Sequence, residues 1–170
     1  MLDIGNKMNA IKNENMESIF FESLPLKYKC IWRIGVETGL RISDILKRKR
    51  HEIRAGAWVC YESKTGKKKK CTLSPDTVEL CEAYFKISHV KNIRFAFYNQ
   101  KTKTPFTRQS VWKMFRNRAT DIKLKRIGAH SSRCTSAWKR YLKTGDIDKV
   151  RRFLNHDNEK VTKLYLKNKR

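Results

Sequence analysis

Hydrophobic positions along the chain follow two different periods in successive blocks. Residues 1–14 are polar and without a period, and they read as a flexible leader. Asn13 or Asn15 is suited to cap a first short helix through Ile19, Phe20 and Phe21. After Pro25 the apolar positions Tyr28, Ile31, Trp32 and Val36 keep helical spacing, and Gly39 supplies a stop, so a longer helix is predicted between them. From Ile53 the period changes to two: Ile53, Ala55, Ala57, Val59 and Tyr61 would share one face of a strand, with Arg54, Gly56, Trp58 and Cys60 on the other. A second strand fits Lys69 to Leu73. The turn composition of Ser63-Lys64-Thr65-Gly66-Lys67 joins the two strands into a β-hairpin with a basic tip.

Helical spacing then returns. Ser74-Pro75-Asp76 has the form of a helix start, and Val78, Leu80, Cys81, Tyr84 and Phe85 carry that helix. Residues 92 to 98 are predicted as a third short strand. Val111, Met114, Phe115 and Ala119 fall on one side of a helix running from about residue 107 to about 120. Three more helices are expected over about 130–143, 146–154 and 158–167, with Gly145-Asp146 and Asn158 as breaks and caps. The stripe Cys134, Ala137, Trp138 and Tyr141 reads as core, which sets Arg133 at its edge where packing can fix its rotamer. With 170 residues, 39% of them hydrophobic, the chain has enough apolar surface for one core and one compact domain. The expected class is α+β, mainly helical, with a small antiparallel three-stranded sheet.

Charge changes the picture. The 40 Lys+Arg against 16 Asp+Glu leave 40 − 16 = +24, which points to a polyanionic partner and above all to nucleic acid. Phosphate neutralisation is independent of sequence, so charge alone does not separate an enzyme from a coat or chromatin protein. Five cysteines, odd in number and without a CxxC pair, argue against a disulfide framework or a zinc site; with no secretory signal they fit a reduced, cytoplasmic setting. No apolar run reaches the roughly 18 to 20 residues of a membrane helix, so a membrane partner is not expected.

Metal-free phosphodiester transfer needs a nucleophile, cationic donors for the equatorial oxygens, and an acid for the departing 5′ oxygen. His130-Ser131-Ser132-Arg133 sets a histidine and an arginine three apart, on neighbouring positions of a helix face. Leu154-Asn155-His156 follows, and Tyr165 lies 165 − 156 = 9 positions further on. Taken alone, Tyr165 belongs to the stripe Val161, Leu164, Tyr165 and reads as a packed aromatic. These residues nevertheless resemble the tyrosine recombinase (phage integrase) family, whose C-terminal signature runs His-x-x-Arg, Leu-Gly-His and tyrosine. The interval 156 − 133 = 23 also matches it. Upstream, Thr38-Gly39-Leu40-Arg41-Ile42-Ser43-Asp44 resembles the family's first arginine box, and Ser63-Lys64-Thr65-Gly66-Lys67 its hairpin lysine motif.

The resemblance implies a tyrosine-recombinase catalytic domain over residues 15–170, without the N-terminal core-binding domain that usually precedes it. It implies Tyr165 as nucleophile, Arg41 and Arg133 on the non-bridging oxygens, Lys64 as acid for the leaving oxygen, His130 assisting proton transfer at the tyrosine and His156 donating to the phosphate. Neither cofactor nor metal is called for, because the phosphotyrosyl bond conserves the energy of the broken one. Lys67, Lys68, Lys69, Lys70 and Arg108 are candidate DNA contacts. Double-stranded DNA is the implied partner, with self-association to a tetramer on DNA and accessory DNA-bending proteins. Asn155 departs from the family's glycine, mildly, since Asn tolerates the left-handed conformation. Ser132 departs from its usual apolar residue and is expected to loosen Arg133. A non-catalytic DNA-binding protein with the same fold, or a related topoisomerase or telomere resolvase, are the alternatives.

Overall fold

A computed structural model describes residues 8–88, 95–99 and 101–167. Among these, the elements in chain order are α1 (Glu14–Ser23), α2 (Leu26–Thr38), α3 (Ile42–Leu46), α4 (Arg50–Arg54), β1 (Ala57–Tyr61), β2 (Lys68–Thr72), α5 (Pro75–Ile87), α6 (Arg108–Asp121), α7 (Ser131–Thr144), α8 (Ile147–Phe153) and α9 (Glu159–Leu166). The class is mainly helical with a small antiparallel sheet, as the patterning predicts. Asn13, Ser74, Asp146 and Asn158 start their helices as expected, and Thr107 caps α6 in the same way; each accepts a backbone N–H of the first turn with its side chain.

Helix α2 is the centre of the domain. It packs against α5 and α7, and its Trp32 meets Phe20 of α1 and Phe115 of α6 edge-on, with ring centroids 4.8 and 5.4 Å away. The helix stops at Gly39, in the left-handed region at φ 64°. A Cβ there would lie 2.7 Å from the Phe153 ring, so both conformation and space demand glycine. Three residues from the helix end, a Cβ on Gly35 would lie 2.4 Å from Ser132 Oγ. Small side chains on both helices thus let α2 and α7 approach closely. The serine expected to loosen Arg133 instead allows the contact that seats it, and Arg133 is 1% exposed.

Two sequence expectations change. Strand β1 begins at Ala57, and Ile53 lies on the short helix α4, where it is buried. The Glu52 carboxylate accepts from the Lys49 N–H at 2.7 Å and starts that helix, while Gly56 at φ 67° separates it from the strand. The sheet has two strands among the described residues, not three. Residues 95–97 form a bend and Tyr98 an isolated bridge to Pro105, whose missing N–H cannot extend a ladder; residues 92–94 of the expected strand lie outside the described residues. In the hairpin, Trp58 pairs with Cys71 and Cys60 with Lys69, and these four residues form the inner face.

A second, smaller core lies at the C-terminal end. Ala137 of α7 and Val150 and Leu154 of α8 are buried together, with Tyr141, Phe153, Tyr165 and Leu166 packed against them. Helix α9 therefore docks on α7 and α8 of its own chain. Lys12, in the segment before α1, donates to the Leu166 carbonyl at 2.9 Å and covers the Trp138 ring.

Candidate active site

Five of the six expected catalytic residues converge from four separate parts of the chain. Arg41 stands between α2 and α3, His130 and Arg133 open α7, His156 lies in the α8–α9 turn, and Tyr165 is on α9. The Tyr165 hydroxyl is hydrogen-bonded to His130 Nε2. Its ring centroid is 5.1 Å from that of His130, 4.6 Å from that of His156 and 5.9 Å from the Arg133 guanidinium carbon. Of the stripe Val161, Leu164 and Tyr165, the tyrosine does pack at the edge of the second core, whereas Leu164 is exposed and Thr162 is the buried residue of α9.

Arg133 is fixed by three acceptors. Nη1 donates to the Gly39 carbonyl at 2.6 Å and to Glu62 Oε1 at 3.0 Å, and Nη2 donates to the Leu154 carbonyl at 2.6 Å. Of its five N–H groups this leaves Nε–H and one on Nη2. Nε is buried without a partner among the described residues, and so is His156 Nε2, whose ring is fixed through Nδ1 at 3.0 Å from Thr162 Oγ1. Buried polar groups are normally satisfied. Two orphaned nitrogens on side chains that lie against the Tyr165 ring suit an anion's oxygens.

The electrostatics suit the same role. Burial, reinforced by Arg133 and Arg41, pushes His130 down to about 3, and His156 likewise to about 3, so both imidazoles are neutral near pH 7 and each keeps one ring nitrogen able to accept a hydrogen bond. Burial raises the Tyr165 hydroxyl above its ordinary value, and Arg133 partly offsets this. Burial also drives the Glu62 carboxyl up, but Arg133, Arg41 and Asn155 outweigh it and hold Glu62 below the usual carboxylate range.

Lys64, the sixth residue, is exposed at the hairpin tip and makes no hydrogen bond or ion pair among the described residues. The turn that carries it is anchored: Asp44 Oδ1 accepts from the Ser63 N–H at 2.9 Å and from its hydroxyl at 2.6 Å. The four hairpin lysines expected to contact DNA divide. Lys68 and Lys70 are exposed, as is Arg108. Lys67 pairs with Asp157 and donates to the Asn155 carbonyl. Lys69 is turned inward, where it donates to the Phe153 carbonyl; burial and then Arg133 lower its ammonium to about 8. Lys69 is thus committed to the protein and is not a free DNA contact. Lys67, Lys69 and the Asn155 amide, which donates to the Lys68 carbonyl at 3.2 Å, clasp the hairpin to the turn that carries His156.

Sequence reasoning missed Glu62, Asp44 and the part played by the Asn155 side chain. A signal for Glu62 existed: the alternation that buries Trp58 and Cys60 carries on to residue 62, so a lone acid falls on the inner face of a basic hairpin. Among the described residues no three His, Cys, Asp or Glu side chains gather where they could hold a metal ion, and no helix is long and apolar enough to cross a membrane.

Residues 6–170 match the model of the phage integrase family. The chain is similar to the probable integrase/recombinase YoeC of Bacillus subtilis (strain 168), 31% identical over 134 residues that cover 78% of this chain and 72% of the relative. Among solved structures it superimposes on the XerA recombinase with a TM-score of 0.78 at 16% identity, over 95% of this chain and 60% of that one. The XerH site-specific recombinase bound to a palindromic difH substrate gives 0.73 at 21% identity, over 97% and 51%. The chain thus spans between half and three fifths of these solved recombinases.

Proposed function

This chain belongs to the phage integrase family of tyrosine-type site-specific recombinases, and on that premise we propose that it cleaves and rejoins DNA strands through a 3′-phosphotyrosyl bond at Tyr165. The carrying observation is the Tyr165 hydroxyl bonded to a neutral His130 beside two buried, partnerless nitrogens, Arg133 Nε and His156 Nε2. The scissile phosphate supplies the oxygens those nitrogens lack. Arg41 and Arg133 hold the non-bridging oxygens and neutralise the charge that grows on them in the transition state. His156, with the Thr162 hydroxyl on Nδ1, donates from Nε2 to the same phosphate.

Tyr165 Oη attacks phosphorus as its proton passes to His130 Nε2. The bond to the 5′ oxygen breaks, and that oxygen takes a proton from Lys64 at the hairpin tip. Rejoining runs the same steps backwards, with a strand's 5′ hydroxyl returning its proton to Lys64 and His130 returning the other to the tyrosine. The bond energy stays in the phosphotyrosyl linkage, so neither ATP nor metal enters. Lys68, Lys70 and Arg108 are exposed and suited to backbone phosphates, and double-stranded DNA is the proposed partner. Assembly into a tetramer on DNA, with accessory bending proteins, is the arrangement proposed from the family.

The test is a library of nicked duplexes with a randomised core, in which cleavage releases a short strand and traps the linked form. Wild-type protein is expected to run as a DNA adduct in a denaturing gel, and Tyr165→Phe to give none. An adduct that persists in the Phe variant overturns the nucleophile. Salt-sensitive binding without any wild-type adduct overturns the catalytic reading in favour of a binding protein with this fold.

A further inference from the structure

Glu62 is 0% exposed, and no step above uses it. Its Oε1 accepts from Arg41 Nη1 and from Arg133 Nη1, each at 3.0 Å. Its Oε2 accepts from Asn155 Nδ2 at 3.1 Å. Its backbone closes the tip turn: the N–H donates to the Lys67 carbonyl, and the carbonyl accepts from Thr65 and Gly66. One residue therefore touches both arginines, the turn that carries His156 and the loop that carries Lys64.

Two guanidiniums brought together away from water repel each other, and a carboxylate oxygen between them reverses that repulsion. The contact also chooses which donors remain. With Nη1 of Arg133 filled by Glu62 and Gly39, the free N–H groups are Nε and one on Nη2, on the part of the guanidinium left for a phosphate. Asn155 adds a restraint that glycine at that position cannot supply: it adopts φ 55° and its amide still reaches Glu62.

We infer that Glu62 is a positioning residue of the cleavage reaction, its buried carboxylate setting the spacing and orientation of Arg41 and Arg133 before the phosphate arrives and coupling them through Asn155 and the tip turn to His156 and Lys64. Glu62 touches no reacting atom and acts through the arginines. The inference rests on the proposed cleavage at Tyr165, and its test begins from a duplex that the wild type has been seen to cleave.

On that duplex, single-turnover cleavage and DNA affinity are measured separately for wild type, Glu62→Gln and Asn155→Gly, alongside their thermal unfolding. Glutamine keeps the shape but removes the charge and turns an N–H toward the Asn155 amide. The expected result for Glu62→Gln is a cleavage rate lower by about 10²-fold, the scale of a small misplacement of catalytic groups, with DNA affinity within about threefold of wild type. Asn155→Gly keeps the backbone conformation and loses the amide's hydrogen bonds to Glu62 and to the Lys68 carbonyl; at least about a tenfold loss of rate is expected, the weight of one hydrogen bond. It remains informative should Glu62→Gln fail to fold. Wild-type rates in both variants overturn the inference. So does a loss of DNA affinity in step with rate, which is the mark of a merely structural residue; a lower melting temperature is expected for Glu62→Gln in either case. A wild type that forms no adduct on any duplex overturns instead the functional reading beneath it.

Discussion

Trp32 and Arg133 are equally buried, each 1% exposed, yet their surroundings are opposite. Trp32 sits among the edges of the Phe20 and Phe115 rings, held mostly by contacts that have little direction and grade smoothly with distance, with one long hydrogen bond from its indole N–H to Glu17 at 3.4 Å. Arg133 sits among two carbonyls and a carboxylate, held by hydrogen bonds that are either made or lost. The aromatic core around α2 is a scaffold that another set of apolar side chains of similar volume would also fill. The charged ring has no such substitutes, because each member satisfies another. The difference separates the part that sets stability from the part that sets geometry.

The largest expected effect comes from removing Arg133. Arg133→Ala leaves the Glu62 carboxylate buried with Arg41 as its remaining cation, and breaking a buried ion pair costs about 3–5 kcal/mol. Denaturant unfolding should register that loss, and the covalent adduct should vanish. Retention of both would mean that the ring is no tighter than the apolar core.

Acid separates the two regions next. His130 and His156 hold folded values of about 3 against about 6.5 in an unfolded chain. Their contribution is complete above pH 6.5 and is lost as pH falls toward 3, because the unfolded chain takes up protons that the folded one refuses. The limit is about 1.4 kcal/mol per pH unit for each histidine. Between pH 6.5 and 5 the carboxylates are still ionised, so melting temperature followed across that window reads the histidines. A melting temperature that stays flat there would contradict their burial as neutral rings.

Gly35→Ala tests the close approach of α2 and α7 that supports the ring from behind. Its new Cβ meets Ser132, and overpacking of this kind costs about 1–3 kcal/mol. Cleavage is expected to fall further than stability does, since Arg133 is the neighbour of Ser132. Ile31→Leu, a swap of equal volume in the same buried core, is the smallest change, below about 1.5 kcal/mol, with the adduct formed at the wild-type rate per folded molecule. Unfolding curves and single-turnover rates measured on both variants check the contrast.

The same contrast explains what the sequence makes legible. The scaffold helices declare themselves because amphipathic stripes and side-chain caps are local properties. Helices α3 and α4, five residues each, are too short to display a period, and Ile53 and Ala55 fit an alternation that Glu52 and Gly56 override. The site is legible where family spacing reaches: Arg41, His130, Arg133, His156 and Tyr165 meet as the resemblance implies. What joins them is less so. Glu62 gathers two arginines from 21 and 71 positions away, and no local pattern encodes that meeting. In the run Lys67-Lys68-Lys69-Lys70 only the register against Cys60 reveals that Lys69 points inward. Asn155, a departure from the family pattern, proves to be the partner of Glu62.

The central claim is that Tyr165 carries the DNA. Trapped adduct, digested with nuclease and trypsin, should yield the peptide Leu164-Tyr165-Leu166-Lys167 bearing a nucleotide through its 3′ phosphate, with fragmentation that localises the added mass on the tyrosine ring. A nucleotide on Tyr141, on a serine of α7 or on any residue other than Tyr165 would contradict the account.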